Sequence, residues 1–119
     1  MIVLVDTSVW VEHWRHGLAS LAHLLQQDRV LVHPFVLGEL ALGRLTPRAD
    51  VLRGLQALDA PRVAEQDEVL TLIEQTPLWG RSIGWVDTHL VASALLEHAR
   101  LWTLDRPLAR VAARLGLGF

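Results

Sequence analysis

The sequence predicts an α/β domain in which a mainly parallel central sheet is covered by helices on both faces, a three-layer sandwich. Short apolar runs rich in β-branched residues alternate with longer segments whose apolar residues recur at helical spacing. Strands that alternate with helices imply βαβ units, and these units build parallel sheets. With 119 residues, 51% of them hydrophobic, the chain can bury one sizeable core but not two, which predicts one domain over residues 1–119.

The first half of the chain opens with a predicted strand, residues 2–5, that ends at Asp6. Thr7 or Ser8 follows directly, and either hydroxyl can cap a helix. The segments predicted after that helix are a second helix at 18–27, a strand at 30–32, a helix from Pro34, and a helical pattern at 47–58.

The second half is predicted to hold a short strand at 62–64, helices at 66–75 and 85–98, a strand at 101–104 and a closing helix at 107–115. The last strand ends at Asp105, as the first ends at Asp6. In open parallel sheets, ligands bind at the carboxyl ends of strands, beside helix N-termini. Both aspartates are therefore expected at a ligand-binding edge.

Composition narrows the class of protein. Without cysteine the chain has neither disulfides nor a thiolate zinc site, and with no signal-peptide pattern or apolar run of membrane length it is expected in the cytoplasm. A formal net charge of -2 argues against coating nucleic acid by bulk attraction, so any such contact must be local. The histidines are scattered without the paired spacing of zinc helices, and none is expected to bind metal.

Four acidic residues do not fit a solvated surface. Asp6 and Asp105 end apolar strands, while Glu39 and Asp87 interrupt helical faces made of Val, Leu and Ala. A lone carboxylate on such a face is costly unless it is paired or bound to a cation. Taken singly, each has an ordinary explanation as a helix cap, an arginine partner or a boundary residue. Taken together, they are expected to converge on one site.

Such a cluster would be protonated, countered by arginine or filled by a metal ion, because carboxylates ~5 Å apart repel by roughly 3 kcal/mol per pair at an effective dielectric of ~20. Oxygen-only ligands favour Mg²⁺ or Mn²⁺ over zinc. An ion of this kind activates water and stabilises charge on phosphoryl oxygens. Hydrolysis of a phosphate ester is the chemistry these residues predict.

Four segments, in this order, resemble the motifs of the PIN-domain ribonucleases, specifically the VapC-type toxins of bacterial toxin–antitoxin pairs. They are VDTSVWVEHWR, FVLGELALGR, IGWVDTHLVASALLEHA and LWTLDRPLAR. The resemblance spans the whole chain, and it implies a PIN-like fold and endonucleolytic cleavage of RNA with Mg²⁺ or Mn²⁺. It also implies a homodimer silenced by a cognate antitoxin that reaches into the active-site groove.

The resemblance makes Asp6, Glu39, Asp87 and Asp105 the catalytic acids. Asp6, Asp87 and Asp105 are expected to bind the ion, directly or through water, while Glu39 orients or deprotonates the attacking water. Supporting hydroxyls are expected from Thr7, Ser8 and Thr103, and candidate phosphate contacts from Arg15, Arg81 and Arg106. Arg81 could equally be a solvated loop residue.

Two other functions remain open on the sequence alone. One is a Mg²⁺-binding phospho-receiver module, although receivers need a lysine near the end and this chain has none. The other is a catalytically idle PIN domain that only binds a partner. Trp10 and Trp14, one helical turn apart, could form an exposed patch for an antitoxin or a second protomer, or could belong to the core.

Overall fold

The α/β architecture predicted from the sequence is confirmed. The computed structural model describes residues 1–119 and contains three strands and seven helices. In chain order these are β1 (Val3–Val5), α1 (Thr7–His16), α2 (Ala19–Gln26), β2 (Val30–Leu31), α3 (Pro34–Ala41), α4 (Arg48–Gln56), α5 (Gln66–Gln75), α6 (Trp85–Glu97), β3 (Arg100–Trp102) and α7 (Arg106–Arg114).

The sheet is parallel, with strand order β2-β1-β3. The central strand β1 aligns Leu4 with Leu31 of β2 and with Leu101 of β3. Successive side chains of a strand point to opposite faces, yet Val3, Leu4 and Val5 all have no exposed surface. Helices therefore cover both faces of the sheet, which explains why β1 is apolar at every position rather than at alternate ones.

Two helices bring functional positions to the carboxyl edge of the sheet. Helix α6 buries seven consecutive residues, 88–94, as expected for an apolar helix that passes through the interior. Helix α7 is amphipathic, since Leu108, Val111 and Ala112 are buried while its arginines are exposed. No helix of the chain is both long enough and apolar enough to span a membrane.

The strand predicted at 62–64 is wrong. Residues 60–65 have no regular secondary structure, and the nearest pairing with the sheet is an isolated parallel bridge between Leu31 and Asp59. The backbone of Arg62 is satisfied by side chains of α6 instead: its carbonyl accepts a hydrogen bond from Ser93 Oγ at 2.6 Å, and its N–H donates to Glu97 Oε2 at 2.7 Å. The other predicted elements are present, and their predicted ends match those of the structure or differ by one or two residues.

Candidate active site

The four predicted acids converge at the carboxyl edge of the sheet. Asp6 follows β1, Asp105 follows β3, Glu39 lies on α3, and Asp87 lies in the first turn of α6. Burial raises the pKa of the Asp87 carboxyl, the N–H of Gly84 partly offsets that rise, and the negative charges of Asp6, Asp105 and Glu39 raise it further. The acids are thus close enough to repel one another, as the sequence predicted.

Two hydroxyl groups hold the buried carboxylate of Asp6. Its Oδ2 accepts hydrogen bonds from Ser8 Oγ and from Thr103 Oγ1, each at 2.7 Å. Each hydroxyl also accepts a backbone N–H from the turn after β3, Ser8 from Leu104 and Thr103 from Asp105, both at 3.0 Å. The end of β1 is therefore tied to the start of α7, and the positions of Asp6 and Asp105 are coupled.

Each of the other three carboxylates accepts a hydrogen bond through one of its two oxygens. Glu39 Oε1 accepts from Thr7 Oγ1 at 2.7 Å, Asp87 Oδ2 from Gly84 N–H at 3.4 Å, and Asp105 Oδ2 from Leu108 N–H at 3.1 Å, the last of which caps α7. The second oxygen of all four acids accepts no hydrogen bond from the protein. One side of each carboxylate is thus fixed and the other is left for a ligand.

No cationic side chain balances these charges. The three ion pairs of the chain join His16 to Glu12, Arg53 to Asp50 and Arg62 to Glu97, and none involves an acid of the site. A set of oxygen donors with excess negative charge suits a hard divalent cation. No three acidic or histidine side chains have the mutual spacing of direct metal ligands. The type of donor thus suits an ion such as Mg²⁺, whereas the spacing of the carboxylates does not form a set of direct ligands.

A group of aromatic rings beside the acids was not predicted. The ring of His89 lies edge-on to Phe35 and Trp85, with centroids 4.8 and 4.9 Å away, and 6.2 Å from His33. His33 Nδ1 caps α3 by accepting the Phe35 N–H at 2.9 Å. One signal was available in the sequence, since His33 follows the strand at 30–32 much as Asp6 follows the first strand.

The environment of the two imidazoles disfavours their charged forms. Burial, followed by the proximity of His89, lowers the pKa of His33 to about 4, and burial also lowers the pKa of His89. His33 Nε2 and His89 Nδ1 are buried without a hydrogen-bond partner. Phe35 and Trp85, in contrast, are 36% and 43% exposed, so the cluster presents aromatic rings to solvent next to the acids.

Trp14 and Arg15 are at the surface, whereas Trp10 is buried. Trp10 is core, with 3% exposure, whereas Trp14 is 42% exposed, and their ring centroids are 5.9 Å apart. Arg15 lines an open cleft of about 370 Å³ together with Thr7 and Glu39. Arg44, which the sequence analysis did not single out, lines the same cleft.

The remaining predicted arginines are close to two of the acids along the chain. Arg81 belongs to the loop before α6, and Arg106 is the first residue of α7, directly after Asp105. Both are exposed. Neither forms an ion pair with an acid of the site.

Comparisons with known proteins agree with this architecture. Residues 3–114 match the PIN domain family. Ribonuclease VapC32 of Mycobacterium tuberculosis, from strains CDC 1551 / Oshkosh and ATCC 25618 / H37Rv, is 46% identical over 117 residues, which cover 98% of this chain and 94% of the relative. The crystal structure of PAE2754 from Pyrobaculum aerophilum matches with a TM-score of 0.62 at 17% identity, covering 98% of this chain and 90% of that one, and it supports the fold.

Proposed function

The chain belongs to the PIN-domain family, as a VapC-type ribonuclease, and from this premise we propose that it is a metal-dependent endoribonuclease toxin neutralised by a cognate antitoxin. One observation carries the proposal: four carboxylates meet at one edge of the sheet, each with an oxygen free of protein partners and none with a cationic partner. Family membership removes the phospho-receiver alternative. We take residues 1–119 to form one nuclease domain.

Asp6, Asp87 and Asp105 would hold the Mg²⁺ or Mn²⁺ ion, directly or through its waters. When bound, this ion supplies Lewis-acid stabilisation of charge on the phosphoryl oxygens and makes water more acidic. The protein residues hold the carboxylates in position. Ser8 and Thr103 fix one oxygen of Asp6, and the Leu108 N–H fixes one oxygen of Asp105.

Glu39 is the residue we assign to the attacking water. It is exposed, and its hydrogen bond from Thr7 leaves Oε2 available to accept a proton. The water oxygen bonds to phosphorus, its proton passes to Glu39, and one phosphorus–oxygen ester bond breaks. The departing oxygen then takes a proton from solvent. General base catalysis of this kind contributes typically 10²–10⁴-fold to a rate.

The partners of the chain follow from the same premise. We propose that it acts as a homodimer in the cytoplasm, which is consistent with the absence of cysteine. The antitoxin would cover the groove that holds the acids. The exposed ring of Trp14 lines the cleft beside Glu39, and it supplies an aromatic contact for such a partner.

The test is cleavage of a labelled single-stranded RNA with Mg²⁺, with Mn²⁺ and with EDTA, followed by sequencing of the new ends. We expect cleavage only with the ions, and a loss of at least about 10²-fold in the Asp87→Asn and Glu39→Gln proteins. Asp67→Asn is the matched control, because Asp67 is an exposed acid of α5 away from the site. Full ion-dependent activity in Asp87→Asn would refute the assignment, and an inactive parent protein would favour the idle partner-binding alternative.

A further inference from the structure

We propose that α7 and the loop before α6 form a phosphate-binding site that holds the RNA backbone beside the bond to be cut. The inference rests on the proposed function and deepens it, because it adds a contact for the RNA backbone to the acids of the site. Its centre is a small cavity of about 90 Å³ lined by Arg81, Pro107, Arg110, Val111 and Arg114. Three of its five lining residues are arginines and none is acidic.

The charges of these arginines are not neutralised within the protein. None of the three takes part in an ion pair. The Arg81 and Arg114 side chains each donate to a backbone carbonyl, those of Pro77 and Thr76, while the Arg110 side chain donates no hydrogen bond within the protein. The neighbouring carbonyls at 76–77 therefore orient two guanidinium groups, and the third is free to bind a ligand.

In the absence of a ligand, repulsion between the arginines along α7 lowers the stability of the helix. Arg106, Arg110 and Arg114 are four residues apart, so they share one face of the helix and repel one another. Arg106 also begins the helix, where a positive charge opposes the macrodipole. A coding preference for arginine explains the residue type in a chain without lysine, but it does not explain this placement. A polyanion along the face offsets this repulsion.

The cavity lies along α7, the helix that begins directly after Asp105. Asp105 caps α7, and Arg110 lies five residues further on, roughly 7.5 Å along the helix axis at 1.5 Å per residue. Arg81 lies shortly before Asp87 on the chain. Guanidinium groups bind phosphate oxygens through paired hydrogen bonds, so three of them around a small concavity suit one phosphodiester group.

The decisive variant is Arg110→Ala, because the Arg110 side chain forms no ion pair or hydrogen bond, so its removal should not lower the thermal midpoint. Binding of an unstructured oligoribonucleotide is measured as a function of salt in EDTA, in an Asp87→Asn background that prevents cleavage. We expect affinity to fall about tenfold and the slope of log K against log salt to become less steep by about 0.7, the value for one phosphate on a single strand. Arg29→Ala is the control, since Arg29 is exposed and precedes β2 at the opposite edge of the sheet, and it should change neither quantity.

The same variant in the active protein should raise KM for a long RNA and leave kcat within about twofold, as expected when an interaction contributes equally to ground and transition states. The binding measurement tests the phosphate site even if the parent protein proves not to cleave RNA. Either proposal can therefore be refuted without refuting the other. Equal affinity and equal salt slope in Arg110→Ala and Arg29→Ala would overturn the inference. It would also be overturned if Arg110→Ala kept RNA binding but lost binding of an acidic polyglutamate peptide, since the surface would then suit a protein partner.

Discussion

Replacing Thr103 by valine tests whether the hydroxyl network organises the site. Valine keeps the shape of the side chain but removes the group that donates to Asp6 Oδ2 at 2.7 Å and accepts from the Asp105 N–H at 3.0 Å. Thr103 is 9% exposed and Asp6 is 7% exposed, so water cannot easily replace the lost donor. The change leaves a buried carboxylate with Ser8 as its remaining hydroxyl donor.

The magnitude follows from the two bonds. A hydrogen bond to a charged group contributes about 1.5–3 kcal/mol, and an ordinary bond contributes about 1 kcal/mol. Asp105 is exposed, so its N–H can bond to water instead of to Thr103. This replacement offsets part of the loss of the ordinary hydrogen bond. We therefore expect the free energy of unfolding to fall by about 2–4 kcal/mol, a large fraction of the stability of a small domain.

Urea denaturation measures this change as a lower midpoint with an unchanged m value. Thr103→Ser is the matched control, because it keeps the hydroxyl and loses one methyl group, and it should cost no more than about 1 kcal/mol. A loss below about 0.5 kcal/mol in Thr103→Val would show that the network does not stabilise the fold, and the account of how Asp6 and Asp105 are coupled would be wrong.

Three further predictions concern charge, pH and the non-strand segment. Without metal at pH 7, Asp87→Asn should be more stable than the parent by on the order of 1 kcal/mol, because it removes a partly buried charge and then the repulsion from its acidic neighbours. Mg²⁺ should no longer raise its thermal midpoint, and an unchanged response to Mg²⁺ would contradict this. The folded pKa of His33 lies below its unfolded value, so the unfolded chain takes up the proton first and stability should fall from pH 6.5 towards about pH 4, by up to about 3 kcal/mol. His33→Asn, which keeps an acceptor for the Phe35 N–H, should lose most of that dependence when urea midpoints at pH 7 and pH 5 are compared, and an equal dependence would rule out His33 as its source. Ser93→Ala should cost about 1 kcal/mol in urea denaturation through the lost bond to the Arg62 carbonyl, whereas no cost would mean that this bond does not anchor the segment.

Much of the fold could be predicted because local patterns determined it. The β-branched run before Asp6 and the helical spacing around Asp87 each required only a short window of sequence. Prediction from a short window of sequence failed for the segment at 62–64. Its extended, partly apolar pattern resembles a strand, but pairing depends on which backbone lies beside it, and here side chains of α6 satisfied Arg62.

The four acids were proposed because a carboxylate at the end of an apolar strand or on an apolar helix face is costly to bury, yet the structure buries only Asp6 and leaves Glu39 and Asp105 exposed. The aromatic cluster could not be predicted, since Phe35 and Trp85 are ordinary residues at the starts of their helices until the fold brings both against His89. The spacing of the arginines on α7 can be seen in the sequence. That two of them line one cavity with Arg81 could not be predicted, because it depends on how the loop before α6 packs.

The link between Asp6 and Thr103 spans 97 residues and joins the first strand of the sheet to the last. Strand β1 lies at the centre, so its pairing on one side is with residues that a ribosome adds about a hundred codons later. At ~5–20 residues per second, that delay lasts several seconds. During that interval the growing polypeptide has Asp6 but lacks Thr103 and Asp105, so the acidic edge of the sheet cannot be completed. The order of strands therefore makes assembly of this edge one of the last events of synthesis.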